Sequence, residues 1–353
     1  MGASLKALTL ACALAAVGGC ATRSPGEKLM WKKLSPIPDQ AGFGWPFAGV
    51  LDGKLLVAGG ANFPDSPPWA GGAKKWHDDI FILSQPHGQW QIAGKLPRAS
   101  GYGVSVTTPR GIICIGGCDA KQHFRDVLLL TRDGTKIQPK SLAPLPRPMA
   151  YGSGILLGET IYIVGGIEEP GSTNCLKNFW ALNLAEKNPE WRELDPWPGP
   201  ARMLAVVAAA NDALYVVSGT ELSGGPDGKP VRRYLTDTYE FRANSGWKRM
   251  ADIPRAAVAA PSPAPVLDDG RFLVISGDDG TKLGFQPPEK HPGFARDVLA
   301  FDPKGNSWTT LGEVPGPTQV TVPVVKWDGQ YVLPNGEIRP AVRTPEVWSL
   351  QMK

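Results

Sequence analysis

The sequence predicts an all-β fold built from a repeated unit. Glycine and proline account for 42 and 35 of the 353 residues, and residues of these types join many short strands through turns. The 12 Trp, 11 Phe and 7 Tyr residues can fill a core, which argues against a disordered chain. An apolar run that ends in Gly-Gly, Ser-Gly or Asn-Gly recurs six times, at spacings of 49 to 59 residues. A period of this length is typical of the blades of a β-propeller.

Two strand motifs recur in each repeat. The apolar runs are Lys54–Gly60, Ile112–Gly117, Thr160–Gly166, Ala213–Gly219, Arg271–Gly277 and Gln330–Gly336. A second motif of alternating or wholly apolar residues follows each run after a variable loop, and its copies begin at Asp78, Arg125, Lys177, Thr236, Arg296 and Pro345. Such patterns are those of strands in stacked sheets.

A third motif pairs a tryptophan with a downstream proline. The pairs are Trp90 with Pro97, Trp191 with Pro198 or Pro200, Trp247 with Pro254, and Trp308 with Pro315, while Ile137 takes the Trp place in the second repeat. The sixth repeat ends without this strand, but Trp31 to Pro38 carry the same motif near the start of the chain.

We therefore expect the N-terminal strand to complete the last sheet and close a six-bladed propeller with four strands per blade, over residues 29–353. Closure would hide the sheet edges that an open array exposes. An open solenoid is the alternative, and it does not explain the split repeat.

Residues 1–19 are predicted to be an export signal. Lys6 precedes the apolar run Ala7 to Val17, and Gly18-Gly19-Cys20 follows it. A cysteine directly after small residues resembles a bacterial lipobox, which implies cleavage before Cys20 and its lipidation, with residues 20–28 as a tether. Ordinary signal cleavage with an incidental cysteine is the alternative. We expect an exported, periplasmic protein that contacts a membrane only through this lipid, because no other apolar run reaches the ~18 residues of a membrane span.

The cysteine and charge patterns bear on several classes of site. Cys114 is predicted to be a buried thiol, while Cys118 and Cys175 lie in loops of adjacent repeats, where an oxidising compartment would permit a disulfide. The sequence has no CxxC motif and no His cluster, so we expect no metal. The formal net charge of +4 comes from interspersed residues, so nucleic acid is not an expected partner. An acidic small molecule is compatible with this charge, and the oligomeric state is left open.

The loops that follow the second strands and those that lead into each blade open on one face of a propeller. The residues just after each small pair, among them Asn62, Glu221 and Glu337, should converge there. Because a guanidinium can form two parallel hydrogen bonds with a carboxylate, arginines in these loops suit an acidic ligand. The alternative is that they brace neighbouring blades. The expected ligand-binding residues are Asn62, Arg98, Arg147, Arg202, Arg255 and Glu221.

The last repeat carries the most specific motif. Asn335-Gly336-Glu337 follows the strand directly, and Arg343 lies six residues after Glu337. A glutamate can accept and donate a proton where burial favours its neutral form, and an arginine can hold an anion. By itself this motif is a weak indication of catalysis.

The Gly-Gly pairs and spaced aromatic residues resemble kelch repeats. The segment from Asn335 to Thr344 is similar to the NGE-x-[KR]-P-x-x-R-T pattern of the kelch-type N-acetylneuraminate epimerases, or sialic acid mutarotases. VAGGANF at Val57–Phe63, WHDDIFIL at Trp76–Leu83 and GYGVS at Gly101–Ser105 agree with that family. The NGE blade lies at the C-terminus instead of centrally, so the chain resembles the cyclically permuted mutarotase branch.

This resemblance implies an isomerase that interconverts the α and β anomers of N-acetylneuraminate without a cofactor. It implies that Glu337 is the acid/base residue and that Arg343 binds the carboxylate or the transition state. The long loops 224–233 and 280–294 depart from the family and put the exact sugar in doubt.

Three other functions are alternatives to this one. A non-catalytic kelch propeller that binds glycan or protein is the main alternative. A copper oxidase of the same architecture needs two His and two Tyr around a cross-linked Cys. The four histidines, His77, His87, His123 and His291, are better interpreted as surface or loop residues. A serine hydrolase lacks support because no GxSxG motif is present.

Overall fold

A computed structural model describes residues 28–352, which form six antiparallel β-sheets around a central axis. The predicted all-β, six-bladed propeller is confirmed. The first strands of successive blades pack against one another, so they lie innermost. Apolar side chains from facing sheets fill the spaces between blades, for example Leu56 and Ile112 between blades 1 and 2. The predicted signal segment, Cys20 and residues 20–27 of the predicted tether lie outside the described residues.

The first four blades each contain four strands. Within each blade the first strand in the chain lies nearest the axis and the fourth lies outermost. Blade 1 comprises Phe47–Leu51, Lys54–Ala58, Asp79–Leu83 and Gln91–Lys95. Blade 2 comprises Val104–Thr108, Gly111–Ile115, Val127–Asp133 and Lys136–Ser141. Blade 3 comprises Ser153–Leu157, Thr160–Val164, Phe179–Asn183 and Trp191–Glu193. Blade 4 comprises Val206–Ala210, Ala213–Val217, Thr238–Arg242 and Gly246–Met250.

Blade 6 takes its outer strand from the start of the chain, as predicted. Its strands are Val325–Trp327, Gln330–Pro334, Val347–Met352 and Leu29–Leu34. The outer strand pairs antiparallel with Val347–Met352 over its whole length, from Leu29 opposite Met352 to Leu34 opposite Val347. The two ends of the described chain are thereby held together in one sheet.

Blade 5 departs from the prediction of four strands. Its strands are Phe272–Ile275, Asp297–Asp302 and Ser307–Glu313. The segment in the innermost place contains Pro261, Pro263 and Pro265, which have no backbone N–H to donate to a ladder. Isolated hydrogen bonds hold this segment instead. One of them runs from the Ala264 N–H to the Val207 carbonyl of blade 4, at 2.8 Å.

Three short hairpins and two 3₁₀ helices extend from the blades. The hairpins pair Ala61–Asn62 with Lys75–Trp76, Thr220–Gly224 with Pro230–Tyr234, and Glu337–Arg339 with Val342–Arg343. The 3₁₀ helices are Pro68–Ala70 and Pro288–Lys290. Neither helix in residues 28–352 is long and apolar enough to cross a membrane.

Four of the repeated tryptophans join their blade to the preceding one. In each case the indole N–H donates to a backbone carbonyl of the preceding blade or its connection, at 2.8–3.1 Å. The pairs are Trp90 with Ser35, Trp191 with Ala143, Trp247 with Asp195 and Trp308 with Ala251. The recurring Trp therefore marks a directed contact between blades as well as apolar surface.

An inner ring of backbone hydrogen bonds encircles the axis. In each blade, a residue that precedes the innermost segment donates a hydrogen bond from its backbone N–H to the backbone carbonyl of the corresponding residue in the preceding blade. These six bonds are 2.6–3.0 Å long. All six residues have left-handed φ values between 42° and 61°. The members of the inner ring are Trp45, Tyr102, Tyr151, Leu204, Ala259 and Thr321. A left-handed conformation is costly for residues other than glycine, and the closed ring compensates for that cost.

Substitution of Leu34 tests the closure of the ring. Leu34 is 7% exposed and packs in the core between blades 6 and 1. We expect Leu34→Ala to lower the free energy of unfolding by about 2–3 kcal/mol, because it removes buried methyl groups and leaves a cavity. Lys32→Ala, on the exposed part of the same strand, should change it by less than about 0.5 kcal/mol. Equal urea midpoints for the two variants would contradict the role of this strand.

Candidate functional site

A cavity of about 390 Å³ opens at one end of the axis. Its volume lies in the range of about 300–1,000 Å³ that is usual for small-molecule sites. Five of the six inner-ring residues line it, so the ring forms its floor. The apolar part of the wall includes Ile167, Met203, Leu222 and Val320.

The residues that follow the small pairs surround this cavity. Each forms a two-way backbone bridge with the residue that precedes the inner-ring residue of its own blade. The bridges are Ala61 with Gly44, Cys118 with Gly101, Ile167 with Ala150, Thr220 with Met203, Asp278 with Val258, and Glu337 with Val320. Of these residues Ile167, Asp278 and Glu337 reach the cavity wall, so the predicted convergence is met in part.

The turn before Glu337 requires a glycine. Gly336 has a φ of +115°, and a Cβ atom there would lie 2.8 Å from the Val320 carbonyl oxygen. The preceding Asn335 also has a positive φ, +69°, which asparagine tolerates better than most residues. This turn ends the second strand of blade 6 and directs Glu337 towards the axis.

Glu337 and Arg343 form a buried ion pair in the cavity wall. They lie opposite each other in the last hairpin, with Arg343 Nη1 3.3 Å from Glu337 Oε1. Their side chains are 5% exposed for Arg343 and 14% for Glu337. The Ala341 N–H also donates to Oε1 at 2.7 Å. Because the contacts of the described residues fall on Oε1, Oε2 is the carboxylate oxygen available to a ligand.

Residues from three blades enclose the Arg343 guanidinium. Nη2 donates to the Tyr102 hydroxyl at 3.2 Å, and the guanidinium carbon lies 5.2 Å from the Phe63 ring centre. Burial disfavours the charged form, but the Glu337 carboxylate and the Tyr102 hydroxyl outweigh it and raise the pKa of Arg343. Nε and Nη1 are buried and donate no hydrogen bond within residues 28–352. Nη1 keeps its ionic contact with Glu337, so Nε is the guanidinium nitrogen without a polar partner in this part of the chain.

Two inner-ring tyrosines, Tyr102 and Tyr151, form one side of the floor. Their ring centres lie 4.9 Å apart, and Cys118 Sγ lies 4.0 Å from the Tyr151 hydroxyl. Burial raises the pKa of the Cys118 thiol to about 11, so this thiol stays protonated near neutral pH. Sequence reasoning missed both tyrosines as site residues. The recurring small-Tyr-Gly pattern, Gly-Tyr-Gly at 101–103 and Ala-Tyr-Gly at 150–152, is a signal that could have found them.

The disulfide that an oxidising compartment would permit between Cys118 and Cys175 is absent from the structure. Both are free thiols, and Cys175 Sγ instead lies 3.5 Å from the Thr220 carbonyl oxygen. The two thiols thus have partners in different blades. Cys114, predicted to be a buried thiol, is 2% exposed.

The opposite side of the cavity carries further polar groups that sequence reasoning did not assign to the site. The Tyr234 hydroxyl donates to Asp278 Oδ2 at 2.7 Å, and burial together with this bond raises the pKa of Tyr234. Lys74 and Arg232 also line the cavity. No group of three or more His, Cys, Asp or Glu side chains is placed to hold a metal ion within residues 28–352.

Two of the four repeated arginines are held inside blades by carboxylates. Arg202 is 0% exposed and forms two hydrogen bonds with Asp237, at 2.7 and 2.8 Å. In blade 5, Arg255 donates two hydrogen bonds to Asp297 Oδ1, at 2.6 Å from Nη2 and 2.9 Å from Nε. Asp237 directly precedes the strand Thr238–Arg242 and Asp297 begins the strand Asp297–Asp302, so each arginine braces its own blade.

The other two arginines are exposed. Arg98 lies 3.2 Å from Asp126, and Arg147 lies 3.6 Å from Glu168. The structure places none of the four arginines in the cavity wall. The sequence predicted that the four arginines and several carboxylates surround one cavity. The positions of the arginines do not agree with that prediction.

Asn62 and Glu221 also make contacts away from the cavity wall. Asn62 is 0% exposed, donates to Asp39 Oδ1 at 3.1 Å and lies 2.8 Å from His77 Nε2. Glu221 pairs with Arg233 across the Thr220–Tyr234 hairpin, at 2.6 Å. Of the predicted site residues in the described chain, the structure thus brings Glu337 and Arg343 together in the cavity.

Comparisons with known proteins agree with the resemblance found in the sequence. The family model for N-acetylneuraminate epimerase matches residues 23–138. The N-acetylneuraminate epimerase of Pasteurella multocida is 25% identical over 226 residues, which are 57% of this chain and 56% of that protein. The Brucella suis epimerase is 35% identical over 136 residues, covering 32% and 34%. The chain spans about half the length of the first of these relatives.

The solved structure of YjhT has the same fold. It covers 82% of this chain and 93% of its own with a TM-score of 0.64, at 14% sequence identity. The similarity to N-acetylneuraminate epimerases is confirmed by these matches, whereas the circular permutation stays a prediction.

Replacing Arg202 distinguishes a brace from a ligand-binding group. We expect Arg202→Ala to lower the free energy of unfolding by about 3–5 kcal/mol, because it leaves the Asp237 carboxylate buried without its partner. Arg147→Ala, which removes an exposed and longer contact, should change it by less than about 1 kcal/mol. Urea unfolding of both variants measures this. An Arg202→Ala protein with unchanged stability would contradict the bracing role.

Proposed function

We propose that this protein interconverts the α and β anomers of N-acetylneuraminate, with Glu337 as the acid/base residue. The observation that carries the proposal is the buried Glu337–Arg343 pair at 3.3 Å, in a small-molecule-sized cavity of a chain similar to N-acetylneuraminate epimerases. The relatives match only part of their length, so the activity is proposed for this chain rather than transferred.

Ring opening moves one proton and breaks one carbon–oxygen bond. Glu337 accepts the proton of the anomeric hydroxyl as the C2–ring oxygen bond breaks and the C2 carbonyl forms. The ring oxygen takes up a proton, delivered by Glu337 directly or through a water molecule. Rotation about the C2–C3 bond and the reverse steps close the ring with the opposite anomeric configuration. The reaction is redox-neutral and returns Glu337 to its starting state.

The surroundings of Glu337 suit this cycle. Its Oε1 is held by the Ala341 N–H and by Arg343, which leaves Oε2 to exchange the proton. Burial keeps bulk water from competing for the carboxylate. The positive charge of Arg343, which lies in the cavity wall, can stabilise negative charge on the substrate as the ring opens.

The proposed location is outside the cytoplasm, on a bacterial membrane. The apolar run before Cys20 and the small residues at 18–19 support export and lipidation. The substrate would then be sialic acid that a sialidase has released as the α anomer.

Substitution of Glu337 tests the chemistry. We expect Glu337→Gln to slow anomer exchange by about 10²–10⁴-fold, because the amide cannot accept and return the proton. The α and β signals of N-acetylneuraminate, freshly released by a sialidase, are followed by NMR with and without the protein. Glu313→Gln, on the exposed outer strand of blade 5, is the matched control and should retain full activity.

Two results would contradict the proposal. Full activity of Glu337→Gln with an unchanged melting temperature would remove Glu337 from the mechanism. Unchanged exchange with the unmodified protein would leave another acidic sugar as substrate, or a propeller that binds without catalysis.

Substitution of Cys20 tests the location. We expect a bacterial host to attach acyl chains to Cys20, so that the protein fractionates with membranes, whereas Cys20→Ala fractionates with soluble proteins. The intact mass of the purified protein measures the acyl chains directly. An unmodified N-terminus at another residue would indicate ordinary signal cleavage instead.

A further inference from the structure

The charged groups in the cavity wall do not balance. Three cationic side chains line it, Lys74, Arg232 and Arg343, against two carboxylates, Asp278 and Glu337. Arg343 has Glu337 as its partner, and Asp278 accepts from Tyr234 and from the Gly280 N–H at 3.0 Å. The cavity therefore has a surplus of positive charge, which favours an anionic ligand.

Lys74 is one of the cations in the cavity wall that has no carboxylate partner among the described residues. It is half-buried, it precedes the short strand Lys75–Trp76, and it forms no ion pair with residues 28–352. Its Nζ lies 4.0 Å from the Tyr102 ring centre and 4.8 Å from the Trp76 ring centre. Aromatic faces hold an ammonium group in place but do not satisfy its N–H donors. The N–H groups of Lys74 therefore need a further partner, and an anion in the cavity can supply it.

Tyr102 places this ammonium next to the reacting groups. Its face contacts Lys74, and its hydroxyl accepts a hydrogen bond from Arg343 Nη2 at 3.2 Å. One tyrosine ring thus separates Lys74 from the Glu337–Arg343 pair. Arg232 is exposed on the Thr220–Tyr234 hairpin, at the rim of the cavity.

We infer that Lys74 binds the C1 carboxylate of the substrate, while Arg343 serves the anomeric centre. The inference rests on the proposed function, because it assigns a group of that substrate. In N-acetylneuraminate the carboxylate is attached to the anomeric carbon itself. A carboxylate that neutralises Lys74 across the Tyr102 face therefore brings the anomeric hydroxyl towards Glu337. Arg343, whose charge already faces Glu337, remains available for the developing oxyanion.

Four proteins and two substrates test this assignment. The proteins are the unmodified chain, Lys74→Met, Lys74→Arg and Lys75→Met. The last variant removes the neighbouring exposed lysine, which does not line the cavity. The substrates are N-acetylneuraminate and its C1 methyl ester, which lacks the negative charge. KM and kcat for anomer exchange are measured by NMR, and binding of both compounds is measured by calorimetry.

The unmodified chain and Lys75→Met are expected to bind the acid about 10- to 100-fold more tightly than the ester, as one charge-assisted contact provides. Lys74→Met should lose this preference through a higher KM for the acid, with the ester unaffected and kcat changed little. Lys74→Arg should keep most of the preference. Melting temperatures identify any variant that fails to fold.

Two outcomes would overturn the assignment. If Lys74→Met keeps the preference for the acid, the carboxylate is bound by another cation. If Lys74→Met weakens acid and ester equally, Lys74 supports the cavity wall without contacting the carboxylate. A failure of the proposed function gives a different result from a failure of this assignment. In that case the unmodified chain binds N-acetylneuraminate without accelerating anomer exchange. The binding titrations alone then decide the role of Lys74. Binding of neither compound would overturn both.

Discussion

Six backbone hydrogen bonds around the axis hold the propeller together at its narrowest point. Each joins one inner-ring residue to its counterpart in the preceding blade, and the last joins Trp45 of blade 1 to Thr321 before blade 6. The outer strand Leu29–Leu34 pairs with Val347–Met352 and closes the same circle of blades at its outer edge. The left-handed backbone of these residues is retained because the ring determines it from both sides.

The same ring creates the site. Its residues form the floor of the cavity, and a backbone bridge ties the residue after each small pair to the ring. In five blades that residue is Ala, Cys, Ile, Thr or Asp, and in blade 6 it is Glu. A repeated scaffold thus presents six equivalent positions, and the residue at the position in blade 6, Glu337, is the proposed acid/base group.

Charge is distributed differently in the scaffold and in the cavity. Arg202 and Arg255 are matched by the carboxylates of Asp237 and Asp297, and these pairs leave no net charge for a ligand. Around the cavity the matching is incomplete, and Lys74 has aromatic faces in place of a carboxylate. Unmatched charge at a concave surface is what allows a site to select an anion.

The amino-acid pattern is enough to predict the repeat, the six blades, the closure by the first strand and the position of Glu337 with Arg343. These features depend on strand patterns or on residues six apart in one hairpin, so local pairing specifies them. The missing inner strand of blade 5 has a local cause too, because Pro261, Pro263 and Pro265 have no N–H to donate. Which arginines reach the cavity depends on long-range packing, as does the contact of Tyr102 with Arg343 across 241 residues of sequence. Such contacts exist only after the ring closes, because closure brings loops from blades 1, 2 and 6 to one point on the axis.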